Sequence, residues 1–169
     1  MKKFKLTSEF IVDISGVKLF RIKALIEFGN VKAGDLGGYI EKEENLIHMG
    51  NAWVSGNAQV SGDARVSGNA RVSGDARVFG NARVFGNAQV FGDARVSGDK
   101  DYAYAHGFGS CNRTTTFFRL KDGDVGVRCG CFYGTLAQFR DNVCETHGET
   151  KKAQEYLMLA DLMDFRFKN

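Results

Sequence analysis

Two sets of side chains in this 169-residue chain could do chemistry by type and spacing. The first is Cys129-Gly130-Cys131, followed by Cys144 and His147. Cys-x-Cys and Cys-x-x-His are spacings at which thiolates and an imidazole can reach one zinc ion. The second is Arg113, Thr114, Thr115, Thr116, Arg119 and Arg128 with Tyr133, near Tyr102 and Tyr104 in sequence. Guanidinium groups and hydroxyls among aromatic rings suit a phosphate, a nucleotide or an acidic protein patch. Each set also has a plainer reading. Val125, Val127, Cys129 and Cys131 alternate along one strand face, as core residues beneath two helices would. That reading of the thiols is preferred, so neither a metal nor a cofactor is expected. The arginines and threonines are equally what a polar sheet face in water would present.

The elements that must position these residues follow from local pattern. Tyr102–Phe108, Thr114–Leu120 and Val125–Phe132 read as three strands, with Lys121-Asp122-Gly123-Asp124 turning between the last two. Thr135 and Gln138 form a capping box for a helix carrying Leu136, Phe139 and Val143 and ending at His147-Gly148. A second helix is expected over Lys151–Phe165, with Ala153, Tyr156, Leu157, Ala160 and Met163 on one face. Residues 100–169 are therefore predicted to be an α+β unit of three strands and two helices. At the other end, residues 1–39 are predicted to be a β-hairpin cap, with Phe10-Ile11-Val12 and Val17–Ile22 joined across Asp13–Gly16.

Between these caps, residues 50–97 are eight hexads: GNAWVS, GNAQVS, GDARVS, GNARVS, GDARVF, GNARVF, GNAQVF, GDARVS. Ala and Val alternate with outward polar or aromatic residues, and each Gly-Asn or Gly-Asp pair breaks the strand. The pattern resembles the hexapeptide-repeat left-handed β-helices, which implies three hexads per triangular coil with Val and Ala inside. The fold class is thus mainly β: a short left-handed parallel β-helix over residues 40–99, closed by the two caps. Ile40 and Leu46, six apart, form a degenerate first coil, with a two-residue slip between Leu46 and Val54 around His48. Positions eighteen apart stack into corner columns: Asn51, Asn69, Asn87; Asn57, Asp75, Asp93; and Asp63, Asn81, Asp99. Asp75 and Asp93 would repel, so Arg77 and Arg95 are expected close by, and the arginine columns are expected to be largely self-paired. Phe79, Phe85 and Phe91 form an outward belt that, with Trp53, needs covering by the caps or by other subunits.

Composition narrows the class. Twenty-one Gly with no Pro point to ordered turns rather than a flexible linker. A formal net charge of +3 does not call for nucleic acid as a partner. The N-terminal apolar run is broken by Ser8, Glu9 and Asp13, so no signal peptide is read. No apolar run approaches membrane-spanning length, so no membrane partner is expected and the cytoplasm is the expected compartment.

The whole chain also resembles small uncharacterised phage and prophage proteins, through LFRIKALIEFGNVKAGDLGGYIEKEENLIHMGNAWV, the hexads, CGCFYGTLAQF and ETHG. That resemblance implies a viral origin and brings no catalytic residue. The hexapeptide family includes CoA-dependent acyltransferases with a His general base and zinc carbonic anhydrases with three His ligands. No His lies between Val54 and Val96, leaving His48 as the one stand-in for such a base, and three scattered His do not match the zinc pattern. The expectation is a non-enzymatic binding protein, homotrimeric, in the cytoplasm of an infected or lysogenic bacterium. Its partner would be a host immune protein or a small nucleotide-like signal. An acyltransferase and a phage assembly module are the alternatives.

Overall fold

The computed structural model describes residues 1–168. β1 (Phe4–Val12) and β2 (Lys18–Ala24) form an antiparallel hairpin, and β2 pairs in turn with β3 (Leu36–Ile40). Eight two-residue strands follow, one per hexad: β4 (Trp53–Val54), β5 (Gln59–Val60), β6 (Arg65–Val66), β7 (Arg71–Val72), β8 (Arg77–Val78), β9 (Arg83–Val84), β10 (Gln89–Val90) and β11 (Arg95–Val96). They stack in parallel on three faces, β3-β5-β8-β11, β4-β7-β10 and β6-β9, giving a parallel β-solenoid of about three turns. Every hexad Ala and Val is fully buried, so the interior is one continuous aliphatic column. Glycines 56 to 92 at the corners have φ between 63° and 71°, a conformation that costs a side chain with a Cβ about a kcal/mol or more.

The irregular first coil is where the sequence places it. Ile40 pairs with Val60 and Leu46 with Val66, twenty residues on, whereas Val54 pairs with Val72, eighteen on. The two surplus residues fall between Leu46 and Val54. The hairpin is more than a lid, because β3 joins it edge to edge with a solenoid face in one six-stranded sheet.

Stacking gives the solenoid a polarity. In the rungs flanking the short strands the earlier coil donates and the later accepts, as in Trp53 N–H to Ala70 O, Gln59 to Ala76 and Arg65 to Ala82. At the N-terminal end this leaves carbonyls without a coil above them. Ala52 O accepts from Lys3 Nζ at 2.9 Å, Ala58 O from the Tyr39 amide at 2.9 Å, and Ala64 O from Asn45 Nδ2 at 2.9 Å. The C-terminal end is left with amides. The Arg83 N–H donates to Asp99 Oδ1 at 2.8 Å, Gln89 N–H to Thr116 Oγ1 at 2.9 Å, and Ser97 N–H to Asp101 Oδ2 at 2.9 Å. The Tyr102 hydroxyl also donates to Arg83 O. Each group left unpartnered in such a dry setting would cost about 1–3 kcal/mol.

The C-terminal unit departs from expectation in strand number. β12 (Tyr102–Phe108), β13 (Arg113–Arg119), β14 (Val125–Cys129) and β15 (Phe132–Thr135) form a four-stranded antiparallel sheet, not a three-stranded one. Gly130, at φ 59°, folds the expected third strand back on itself, so Cys129 pairs with Phe132. This turn also removes Cys131 from the strand face: Cys129 is buried with Val125 and Val127, whereas Cys131 is exposed. α1 (Leu136–His147) carries the expected Thr135–Gln138 capping box, and α2 (Lys151–Phe167) runs two residues beyond its expected end. The sheet is sandwiched. Tyr102, Phe118 and Leu120 join the solenoid core, while Phe117, Val127 and Cys129 pack with α1 and α2.

Candidate functional site

Strand alternation divides the Arg–Thr–Tyr set between the two sides of the C-terminal sheet. Thr115 is buried on the helix side, its hydroxyl donating to Cys129 Sγ at 3.3 Å. Thr116 is buried on the solenoid side and serves as the acceptor for Gln89. Arg119 donates from both terminal nitrogens to Phe167 O at 3.2 Å and lies 4.0 Å from the Asp101 carboxylate, tying α2 to the end of the solenoid. Arg128 stacks on Phe91 at 4.7 Å, and Tyr133 meets the same ring edge-on at 4.9 Å. These five residues are structural. Arg113 and Thr114 alone open onto a cavity.

That cavity is a groove of about 410 Å³ where the solenoid meets the sheet. Asn69, Arg71, Asn87 and Gln89 line it from the β4-β7-β10 face, and His106, Thr114, Arg113 and Gly130 from the sheet. Asn69 Nδ2 donates to Asn87 Oδ1 at 3.2 Å, one rung of an amide ladder along that corner column. Arg71 is held by Asn30 Oδ1 at 2.6 Å, and His106 Nδ1 lies 2.8 Å from the Thr114 hydroxyl. Among the described residues no carboxylate lines the groove. Of the three corner columns, the one bordering it (Asn51, Asn69, Asn87) is the one without Asp. A surface with two guanidinium groups, an imidazole, four neutral hydrogen-bonding side chains and no competing anion is suited to a phosphate. Sequence reasoning on the second half of the chain missed Asn69, Asn87, Gln89 and His106, and it set Arg71 aside with the other arginines of its column as self-paired. The signal for the solenoid residues was present in the column that never uses Asp.

The arginine columns are not self-paired by direct contact, although Arg95 lies within electrostatic reach of both Asp93 and Asp75, as expected. Among the described residues Arg65, Arg71, Arg77, Arg83 and Arg95 form no ion pair within 4 Å, and Arg95 donates to the Asp75 backbone carbonyl at 3.1 Å. Within each hexad Asp sits at the corner and Arg on the flat, separated by the inward Ala. The corner carboxylates instead meet Asn57 (Asp75), Lys42 (Asp63), Lys121 (Asp93) and the Arg83 amide (Asp99).

The remaining candidates fall into place individually. Trp53 is buried within its own chain, edge-on to Phe28 at 5.4 Å, and so is a cap contact. Phe91 is covered by Arg128 and Tyr133, whereas Phe79 and Phe85 remain 38% and 49% exposed. His48 stacks on Phe4, its Nδ1 accepts the Lys3 N–H at 3.1 Å, and its Nε2 is 2.8 Å from Glu43 Oε1. A ring whose Nδ1 accepts an amide proton carries its own proton on Nε2, so no lone pair is left for a general base. Hydrogen bonds from Lys2 and His48 hold the Glu43 carboxyl below its usual range. Cys129 is buried against Thr115 and Tyr156, and Cys131 and Cys144 are exposed free thiols. Among the described residues no three His, Cys, Asp or Glu side chains are grouped as a metal site. Among the described residues no helix is long and apolar enough to cross a membrane.

The model of the YdcK beta solenoid repeat matches residues 58–74, 64–78, 76–89 and 88–99. No curated protein matches the chain.

Proposed function

We propose that this β-solenoid repeat protein is a non-enzymatic binding protein that captures a phosphate-bearing small molecule in the groove between solenoid and sheet. The observation that carries this reading is the groove's lining of Arg71, Arg113 and His106 with amides and a hydroxyl but no carboxylate, in a chain with 20 Asp and Glu. The engaged ring of His48 argues against the acyltransferase alternative. The reading also takes the coils for a member of the left-handed hexapeptide-repeat superfamily. It takes the chain for a phage or prophage product acting in the host cytoplasm, where holding a nucleotide signal or blocking an immune protein would serve the virus. A homotrimer would cover Phe79 and Phe85, the two belt rings that the chain leaves open.

Calorimetric titration with inorganic pyrophosphate tests the groove. Binding that weakens about tenfold in Arg113→Ala is expected from the loss of one charge-assisted contact. Absence of pyrophosphate binding at millimolar concentration would overturn the reading. Native mass spectrometry of protein mixed with host lysate separates the two modes of action: a retained nucleotide supports capture, whereas a stoichiometric host protein with an empty groove supports blocking. A monomer at micromolar concentration in the same spectra would remove the trimer.

A further inference from the structure

A second cleft, of about 460 Å³, lies where the turn of the N-terminal hairpin meets the solenoid face β3-β5-β8-β11. Two outward columns of that face form its floor. Gln59, Arg77 and Arg95 stand in register on successive rungs, and Glu41 and Phe79 belong to the next column along. The turn supplies the opposite wall through Asp13, Ile14 and Val17. The cleft shares no lining residue with the phosphate groove.

The floor carries charge that the chain does not answer. In-register pairing sets Arg77 and Arg95 one rung apart, where like charges repel. Arg95 donates to backbone carbonyls only, those of Asp75 at 3.1 Å and Ala94 at 2.8 Å. Among the described residues Arg77 makes no side-chain hydrogen bond, and neither arginine has a carboxylate within 4 Å. Burial and the Arg77 charge together pull the Arg95 guanidinium below its ordinary value, and Asp93 and Asp75 offset this only in part. The two carboxylates that line the cleft are engaged elsewhere. Asp13 Oδ1 accepts the Ser15 and Val17 amides at 2.8 and 2.9 Å, and Glu41 Oε2 accepts the Gly62 N–H at 2.6 Å. Their charges still disfavour a dianion here, which sets this cleft apart from the groove. Carbon lines both walls, with Ile14 and Val17 on the turn and Phe79 on the solenoid. Ile14 is 89% exposed and Phe79 38%, so this apolar surface is open rather than consumed by packing.

We propose that this cleft is a second ligand site, for a small molecule with one carboxylate and an apolar body. The carboxylate lies between Arg77 and Arg95, and the body between Ile14, Val17 and Phe79. A carboxylate offers two oxygens to two guanidinium forks and relieves the repulsion between them. It brings a single negative charge to a lining that already holds Asp13 and Glu41. The volume is in the range of small-molecule sites. All of these residues belong to one chain, so the site is complete with or without a trimer.

Calorimetry on the full chain with octanoate, acetate and 1-octanol tests both halves of the site. Octanoate is expected to bind at least about tenfold more tightly than either, because acetate lacks the body and octanol lacks the charge. The double variant Arg77→Gln/Arg95→Gln and the single variant Ile14→Asp should each weaken octanoate about tenfold or more. Both alter outward side chains, Ile14 at the exposed tip of the turn, and an unchanged melting temperature shows that the fold is intact. Octanoate that fails to bind at millimolar concentration, or that binds the double variant as well as the unaltered chain, would overturn the site. Acetate or octanol binding as tightly as octanoate would overturn the two-part ligand. Pyrophosphate reports on the groove alone, so either reading can fail without the other; displacement of octanoate by pyrophosphate would overturn the separate site.

Discussion

The two ends of the solenoid solve opposite problems. The N-terminal end is short of donors and closes with an ammonium, an amide side chain and a backbone N–H on Ala52, Ala64 and Ala58. The C-terminal end is short of acceptors and closes with two carboxylates and a hydroxyl, Asp99, Asp101 and Thr116. The first end continues a solenoid face edge to edge through β3, whereas the second is crossed by a separate sheet. A short parallel stack thus needs no symmetrical pair of lids; each lid must answer the polarity of the end it covers. Both lids leave a cleft: the crossing sheet leaves the groove described above, and the turn of the hairpin leaves the cavity of about 460 Å³ against the solenoid beside Arg77, Phe79 and Arg95.

The sharpest way to break this comparison is to remove the N-terminal donor. Lys3 is fully covered, and burial, with the Arg71 charge adding, pulls its ammonium down to about 8. Lys3→Ala leaves the Ala52 carbonyl unpaired and a cavity beside Phe28, and should lower unfolding free energy by about 2–4 kcal/mol in urea melts. The pH dependence has a definite sign. The folded pKa lies below the ordinary Lys value, so between about pH 8 and 10.5 the unfolded chain holds more protons and stability rises with pH. The neutral amine still donates. The difference between the native chain and Lys3→Met should therefore grow by up to about 3 kcal/mol across that window. A flat difference would mean that the ammonium is solvated.

At the opposite end Asp101→Ala should cost about 2 kcal/mol, because Asp101 Oδ2 accepts both the Ser97 amide and the Ser97 hydroxyl at 2.6 Å. Asp101→Asn keeps one acceptor and should cost about half as much. Equal losses would show that the negative charge, not the acceptor, closes that end. The corner columns sharpen the comparison further. Asn87→Asp places a carboxylate in the groove and should weaken pyrophosphate about tenfold with little change in melting, whereas Asp75→Asn, on another column, should leave affinity within about twofold. The smallest effect belongs to Phe79→Ser and Phe85→Ser. Each should shift monomer stability by less than about 1 kcal/mol yet dissociate a homotrimer, as sedimentation would register.

The hexads, the slip before Val54, the hairpin and both helices were legible because each rests on local periodicity or a local cap. What was not legible depends on partners far away in sequence. Lys3 reads as part of a basic start, and nothing near it announces the carbonyl of Ala52. Asn45 carries no sign that its amide will stand in for a missing rung. Gly130 was read as one residue of a strand, yet its positive φ makes the turn that exposes Cys131 and brings Arg113 across it. All seven residues of the Arg–Thr–Tyr set suit binding by type, yet five of them are structural, because residue type says nothing of which sheet side a side chain takes. Thr115 and Thr116, adjacent and chemically identical, are consumed by packing on opposite sides. His106 lines the groove only because β12 pairs with β13 to set it beside Thr114.

The corner columns have one more consequence. Asn and Asp have nearly the same shape, and both tolerate the turn that follows each corner glycine. Exchanging one for the other alters the charge facing a bound anion while leaving the coil's path alone. A lineage carrying this solenoid can therefore retune, or silence, the groove by one-letter changes that its folding scarcely registers. Selection on the groove's charge and selection on the fold would act here on separable positions.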